Sequence, residues 1–98
     1  NQSMGLMRGV LKSAKLDGAT FKAANMKRSA FEFASMRGVD LEGADLEGSE
    51  MSGADLTGAN VAGTNFTKAD VNSAKLIGLK GTAKGLDAAV NLDKAYRD

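Results

Sequence analysis

A large apolar side chain stands at every fifth position of this chain, from residue 6 to residue 76. An α-helix repeats its buried face about every 3.6 residues and a strand every second residue, so neither gives a period of five. A strict short repeat is typical of a solenoid, in which similar turns stack on one another and share a continuous core. The fifteen positions are Leu6, Leu11, Leu16, Phe21, Met26, Phe31, Met36, Leu41, Leu46, Met51, Leu56, Val61, Phe66, Val71 and Leu76.

The other positions of the repeat are nearly as regular. A small residue stands two places before most of the large ones, as Ala44 does before Leu46, and such a pair fills a narrow tube when both side chains point inward. The residue just before the large one is mostly Asp or Asn from residue 40 onward. The residue two places after it is often Gly, which suits a tight corner with a positive φ. We therefore expect each five-residue unit to form one side of a coil.

The charged residues indicate how many sides make one coil. Residues one coil apart lie beside each other at the ~4.8 Å spacing of β-strands, where opposite charges attract and like charges repel. A three-sided coil would place like charges together, for example Lys12 and Lys27. A four-sided coil, which sets position i beside position i+20, places opposite charges together, and the pairs are Lys12/Glu32, Asp17/Arg37, Lys22/Glu42, Lys27/Glu47 and Asp55/Lys75. The pattern predicts the four-sided coil, with about four coils in the repeat.

Several of the units match a known consensus. Residues 44–48 read ADLEG, residues 54–58 read ADLTG and residues 59–63 read ANVAG. They resemble the A(D/N)LxG repeat of pentapeptide repeat proteins, a family widespread in bacteria and cyanobacteria, and the resemblance extends from residue 4 to residue 78. It implies an all-β solenoid in the form of a right-handed quadrilateral β-helix, in agreement with the charge pattern. It implies no specific biochemical role.

The period fails at Gly81, where another large apolar residue is due. After it, one side of a helical wheel, interrupted by Asp93, holds Leu86, Ala89, Val90, Leu92 and Tyr96. Because the last coil of a solenoid exposes its core unless something covers it, residues of about 86–96 are predicted to form a short capping α-helix. A contact between two copies of the chain is the alternative use of such a helix. The sequence thus divides into a β-helix over residues 1–81 and a C-terminal helical cap over residues 82–98.

Composition restricts the chemistry of the chain. It has no Cys and no His, which excludes disulfides, thiol and imidazole catalysis, and zinc sites built from those ligands. The acidic side chains are expected to point outward from a convex surface rather than into a cleft, so we expect neither an enzyme nor a cofactor or metal site. No apolar run is long enough to span a membrane, and we expect no signal peptide. A cytoplasmic location is expected, although a chain that begins without Met is consistent with a processed or truncated form.

These features favour a rigid module that binds a protein partner or serves as a scaffold, without direct contact to nucleic acid. Residues 1–39 have a net charge of +5 and residues 40–70 of −6. The candidate contacts are Phe33, an outward aromatic residue, and Asp45 and Glu47 in the acidic middle coil. The alternative is a regulator of a DNA enzyme, binding DNA gyrase or another topoisomerase by DNA mimicry through that coil, as some pentapeptide repeat proteins do.

Two further surfaces are open to either interpretation. Arg8, Arg28 and Lys68 share one outward column, interrupted by Gly48, that would hold an anion or an acidic partner or else remain solvated. At the N-terminal end, residues 1–3 are too short and polar to cover Leu6 and Leu11. That end is expected to abut a second copy of the chain or a preceding segment.

Overall fold

The computed structural model describes residues 11–98. Its backbone forms parallel β-bridges between equivalent positions of neighbouring coils, and through the repeat each bridge joins position i to position i+20. The coil-to-coil spacing predicted from the charges is therefore confirmed. The bridges of the repeat are Lys15↔Ser35, Thr20↔Asp40, Asn25↔Asp45, Ala30↔Glu50, Ser35↔Asp55, Asp40↔Asn60, Asp45↔Asn65, Glu50↔Asp70, Asp55↔Lys75 and Asn60↔Lys80.

Each five-residue side ends in a tight turn that starts at the large apolar residue. In the turn at Leu16, the backbone N–H of Ala19 donates to the carbonyl of Leu16 at 2.9 Å, and Gly18 between them has a φ of 75°. A bond from the first to the fourth residue with a positive φ at the third is the geometry of a type II turn. Glycine fills many of these third positions because it has no Cβ to clash there. The exceptions among the repeat turns are Ser13, Ala23, Arg28, Phe33, Lys68 and Ser73.

Three backbone hydrogen bonds per side join one coil to the next. The Met36 N–H donates to the backbone carbonyl of Asp55 at 2.7 Å, and the Gly38 N–H donates to that of Thr57 at 2.9 Å. In the other direction, the Asp55 N–H donates to the backbone carbonyl of Ala34 at 3.0 Å. The same set recurs along the repeat. Because these bonds keep the same register from coil to coil, side chains at equivalent positions stack in columns along the tube.

The core lies inside the tube and consists of the large and small residues of the repeat. From Met26 to Val71 every large one has no more than 1% of its surface exposed. Buried polar residues are accommodated by the wall: the Ser49 and Thr64 hydroxyls donate to the carbonyls of Met26 and Leu41, each 23 residues earlier. The equivalent acceptor for the buried Ser29 would be the carbonyl of Leu6, which lies outside the described residues.

The prediction of an α-helix over residues 86–96 is wrong. This segment contains two 3₁₀-helices, Leu86–Ala88 and Leu92–Lys94, and the short strand β2, Tyr96–Arg97. Strand β2 pairs in parallel with β1, Lys75–Leu76. The chain also continues to stack after Gly81, with bridges Asn65↔Lys84 and Asp70↔Val90.

The backbone on either side of each 3₁₀-helix explains why no longer helix forms. Gly85 and Asn91 precede the two helices in the left-handed conformation, with φ values of 67° and 64°, and Ala89 and Ala95 follow them in the extended conformation. An α-helix cannot pass through these four residues. Three of the five predicted apolar residues, Leu86, Ala89 and Leu92, pack partly buried against the core. The other two, Val90 and Tyr96, are 46% and 57% exposed. The division of the chain at residue 81 stays a prediction.

The last coil is packed less tightly than the coils before it. Its inward side chains are Leu79, Ala83, Leu86, Ala89, Leu92 and Ala95, and all are only partly buried. An open cavity of about 330 Å³ remains beside three of them, Leu79, Ala83 and Leu86, and is also lined by Val61 and Leu76. At the end of the chain the Asp98 carboxylate accepts the backbone N–H of Gly78 at 3.0 and 3.1 Å, in place of a further backbone carbonyl. Within residues 11–98, none of the helices has the length and apolar character needed to cross a membrane.

This difference in packing predicts how strongly the shortening of an inward side chain destabilises the fold. Leu46→Ala is expected to lower the free energy of unfolding by about 2–5 kcal/mol, because Leu46 is fully buried and the coils above and below cannot close the cavity. Leu79→Ala removes the same atoms from a partly buried site and is expected to cost about half as much or less. Urea denaturation measures both values. Equal losses for the two variants would contradict the looser packing of the last coil.

Candidate functional site

The outward Asp residues of the repeat stabilise the turns. Where an Asp stands just before a large apolar residue, its carboxylate accepts the backbone N–H of the residue two positions later, a local bond that favours a turn. The backbone N–H groups that donate, with their acceptors, are those of Glu42 to the Asp40 carboxylate at 3.0 Å, Glu47 to Asp45 at 3.1 Å, Thr57 to Asp55 at 3.0 Å and Asn72 to Asp70 at 3.1 Å. Asn60 and Asn65 accept equivalent bonds from Ala62 and Thr67. These side chains therefore already have a structural role.

Asp and Asn also alternate between neighbouring coils. The side-chain amides of Asn60 and Asn65 donate to Asp40 and Asp45, each at 3.2 Å and each 20 residues earlier. Near the end of the chain the Asn91 amide donates to Asp70 at 3.0 Å. Sequence reasoning missed these ladders. The sequence pattern that could have revealed them is an Asp with an Asn at the equivalent position of the next coil.

Salt bridges between coils include two of the five predicted pairs. Lys22 Nζ lies 3.7 Å from Glu42, and Arg37 Nε lies 3.8 Å from Asp17. Lys27, however, turns to Asp45 at 3.6 Å, although Glu47 was its predicted partner. The partners of all three pairs are partly or largely accessible to solvent, so each pair contributes little to stability. They support the register of the coils more than their stability.

Two carboxyl groups have shifted pKa values. The Ser35 hydroxyl and the Arg37 backbone N–H donate to Asp17 at 2.6 and 2.8 Å, and with the Arg37 charge they hold the pKa of Asp17 below its usual value. The pKa of Asp55 is also lowered. Burial acts to raise it, but hydrogen bonds from the Thr57 hydroxyl and N–H, together with the nearby positive charges, outweigh that effect.

Phe33 is the most exposed large apolar residue that the structure describes, with 65% of its surface accessible. It occupies the third position of its turn with a φ of 61°. Its ring extends over Gly53 in the next coil, since a Cβ on Gly53 would lie 2.6 Å from Phe33 Cδ1. The absence of a side chain at Gly53 gives the ring its place against the corner.

The other predicted contact residues have different surroundings. Asp45 is bonded to Glu47, Asn65 and Lys27 as described above, so its carboxylate is largely engaged within the protein. Leu11 is only 4% exposed and belongs to the core, so its side chain is not on the surface. Leu6 lies outside the described residues. The predicted association through that end stays a prediction.

Glu47 lines a notch at one corner of the coil. The notch has a volume of about 510 Å³, and Lys27, Arg28, Gly48 and Lys68 form the rest of its wall. Arg28 crosses Gly48 in the same way that Phe33 crosses Gly53, with Arg28 Cγ 3.4 Å from the position that a Cβ on Gly48 would take. We call the space between Arg28, Gly48 and Lys68 the basic notch.

No cluster of three or more potential metal-ligating His, Cys, Asp or Glu residues occurs in the part of the chain that the structure describes. The Asp and Glu side chains are instead spread over the outer faces at the spacing of the repeat. The arrangement offers separate contacts for a partner molecule and does not bring carboxylates together around a common point.

Comparison with known proteins is consistent with this geometry. A family model described as pentapeptide repeats, with 8 copies, matches residues 10–43 and 34–72. None of the curated proteins searched matches the chain. Among solved structures, a pentapeptide repeat protein from the thylakoid lumen of Arabidopsis thaliana is 28% identical with a TM-score of 0.53, over 90% of this chain and 68% of its own.

Two cyanobacterial structures are also similar. Rfr23, a pentapeptide repeat protein from Cyanothece 51142, is 25% identical with a TM-score of 0.48, and the match covers 89% of this chain and 63% of that protein. HetL from Nostoc sp. strain PCC 7120, a pentapeptide repeat protein involved in the regulation of heterocyst differentiation, is 24% identical with a TM-score of 0.40, over 84% and 38% of the two chains.

The lowered pKa values predict a loss of stability in acid. Because Asp17 and Asp55 have lower pKa values in the folded chain, the unfolded chain binds more protons and acid favours it. Their stabilisation is present above the unfolded pKa, near 3.8, and is lost as the pH falls through the folded pKa. Urea denaturation at a series of pH values between about 7 and about 2 measures the loss.

The double variant Asp17→Asn/Asp55→Asn is expected to lose less stability than the wild type over the acid part of this series. Asp87→Asn is the matched control, because Asp87 is exposed and forms no hydrogen bond or ion pair within residues 11–98. It should follow the wild-type curve. A double variant with the wild-type dependence on pH would show that these two carboxylates do not carry the effect.

Proposed function

The chain belongs to the pentapeptide repeat family, and we propose that it is a non-catalytic module that binds a protein partner through an exposed corner of its coil. Proteins of this family form right-handed quadrilateral β-helices and are generally non-catalytic. The proposal for this chain depends on one observation: the ring of Phe33 is mostly exposed, yet its backbone and position are fixed.

The surroundings of Phe33 support a role in binding. A non-glycine residue in the left-handed conformation costs about 1–2 kcal/mol, and an exposed ring contributes little burial to offset it. The equivalent positions of the other coils along the same corner hold small residues, namely Ser13, Gly53 and Ser73. The ring therefore projects from a surface with few competing side chains. Aromatic anchors of this kind contribute much of the binding energy at protein interfaces.

The rigidity of the coil also favours binding. Both turns next to Phe33 along the corner are joined to their neighbours by backbone hydrogen bonds, including the Phe33 N–H to Ser52 at 2.9 Å and the Gly53 N–H to Asn72 at 2.9 Å. A surface that is already ordered loses little conformational entropy when a partner binds. This supports an interaction or scaffold role over one that requires a moving part.

The absence of catalysis is part of the same proposal. The carboxylates that would be candidate acids or bases, those of Asp40, Asp45, Asp55 and Asp70, accept turn N–H bonds instead. Acid–base catalysis needs such groups aimed at a substrate within hydrogen-bond reach. Their orientation toward the backbone of their own turns therefore favours a structural role.

The alternative, regulation of DNA gyrase through the acidic middle coil, has less support. DNA presents a dense and regular series of negative charges, whereas Lys22 and Lys27 lie 3.7 and 3.6 Å from acidic groups of this coil. These lysines reduce the negative field that a DNA mimic would need. The cytoplasmic location expected from the sequence stays a prediction.

A photo-crosslinking experiment tests the role of Phe33. A benzoyl-phenylalanine introduced in place of Phe33 is expected to form one predominant adduct with a partner protein in cells of the source organism. Excess wild-type protein should abolish the adduct, and excess Phe33→Asn should not. Asparagine is chosen because it tolerates the left-handed conformation.

The same photoreactive residue in place of Tyr96 is the matched control. Tyr96 is also an exposed aromatic residue, at 57%, but it lies on the last coil. If the two sites give the same adducts, or if Phe33→Asn competes as well as the wild type, the proposed role of this corner is wrong.

A further inference from the structure

We propose that the basic notch between Arg28, Gly48 and Lys68 binds a phosphate group carrying two negative charges. This site lies on a different corner from Phe33, and the next face of the coil separates the two. It does not depend on the proposed function, so either proposal can fail without the other.

The geometry of the corner forms the notch. Arg28, Gly48 and Lys68 follow one another at equivalent positions of successive coils, so the backbones of Arg28 and Lys68 lie two coil spacings apart, or about 10 Å. Gly48 has no side chain to fill the space between them. The stem of Arg28 lies over Gly48, which directs the side chain along the corner toward Lys68.

The charges of the notch favour an anion. Within residues 11–98, neither Arg28 nor Lys68 forms a salt bridge, whereas Lys27 beside them is held by Asp45 at 3.6 Å. Two positive groups that share a cavity repel each other, and an anion between them converts the repulsion into attraction. Glu47 is the single carboxylate in the wall and reduces the positive charge without cancelling it.

The backbone conformation of the corner is compatible with this arrangement. Arg28 and Lys68 are in the left-handed conformation, with φ values of 59° and 62°, at the turn position where glycine is the frequent choice. Charged side chains are thus present at a conformational cost at both ends of the notch. Gly48 between them has the same conformation, with a φ of 69°. Glycine adopts this conformation without strain, so the missing side chain between the two cations falls at the one unstrained residue of the three.

The chemistry of the two cations points to phosphate. A guanidinium group donates two parallel hydrogen bonds to a phosphate, and a lysine ammonium adds a point charge from a second direction. A phosphate monoester carries nearly two negative charges near neutral pH and can satisfy both cations together. A carboxylate has only one charge and so neutralises the two cations less fully.

The phosphate has two possible sources, free phosphate and a phosphorylated side chain of a protein. Titrations of the ¹⁵N-labelled protein with inorganic phosphate and with N-acetyl-phosphoserine amide, at constant ionic strength, test the site and distinguish the sources. The amide signals of residues 27, 28, 47, 48 and 68 are expected to shift and to saturate at millimolar concentrations of the ligand.

Substitutions make the test specific. Arg28→Asn and Lys68→Asn are each expected to weaken phosphate binding by about fivefold or more, because each removes one charged contact. Lys80→Asn, which removes an exposed lysine from another face, is the matched control and should bind as the wild type does. Glu47→Gln should bind about twofold more tightly or better, since it removes the carboxylate from the wall.

Each outcome of the titrations is decisive. Shifts spread over all basic residues, or wild-type binding by the double variant Arg28→Asn/Lys68→Asn, would overturn the proposal. Failure of Glu47→Gln to bind more tightly would also contradict it, and that variant leaves the left-handed turn residues unchanged. If the site binds phosphoserine more tightly than inorganic phosphate, its ligand is a phosphorylated side chain; equal or weaker binding of phosphoserine indicates free phosphate.

Discussion

The hydrogen bonds between coils are the interaction on which the rest of this structure depends. From Leu16 to Val61, the N–H of each large apolar residue donates to the carbonyl just before the equivalent residue of the next coil, as Leu41 does to Asn60 at 2.8 Å. These bonds fix each coil at four sides, and each side is one five-residue unit. Side chains at equivalent positions therefore stack in columns along the tube. The core residues stack on one another inside, and outside Asn60 and Asn65 reach Asp40 and Asp45 one coil away.

The same register explains why the candidate binding residues lie at corners. On the faces, outward side chains have neighbours at the strand spacing in both directions, and Asp40, Asp45 and their equivalents bond to those neighbours or to their own turns. At the corners, glycine often leaves the adjacent position empty. Phe33 beside Gly53 and Arg28 beside Gly48 extend over these gaps, so a hydrophobic contact and a charged contact are available on the same coil.

The sequence was sufficient to predict the repeat because each rule of the repeat is local: large, small, polar and Gly positions, with complementary charges at equivalent positions of neighbouring coils. It was insufficient where competing contacts decide. Lys27 reaches both Asp45 and Glu47, and only the structure shows which it selects. Leu86, Ala89 and Leu92 suit a helical wheel, but Gly85 and Asn91 adopt left-handed conformations and the segment stacks as a further coil instead. The outward position of Phe33 followed from the repeat, whereas its overlap with Gly53 required coordinates.

Nuclear Overhauser effects between backbone protons of neighbouring coils test the register of the four-sided coil most directly. The register predicts contacts from the amide protons of Met36, Leu41 and Leu56 to the backbone around Asp55, Asn60 and Lys75, because those carbonyls accept their N–H groups. Such contacts along the whole repeat would establish the four-sided coil. Contacts at the shorter spacing of a three-sided coil, or none between coils, would contradict it, and the stacked corners of Phe33 and of the basic notch would then not exist.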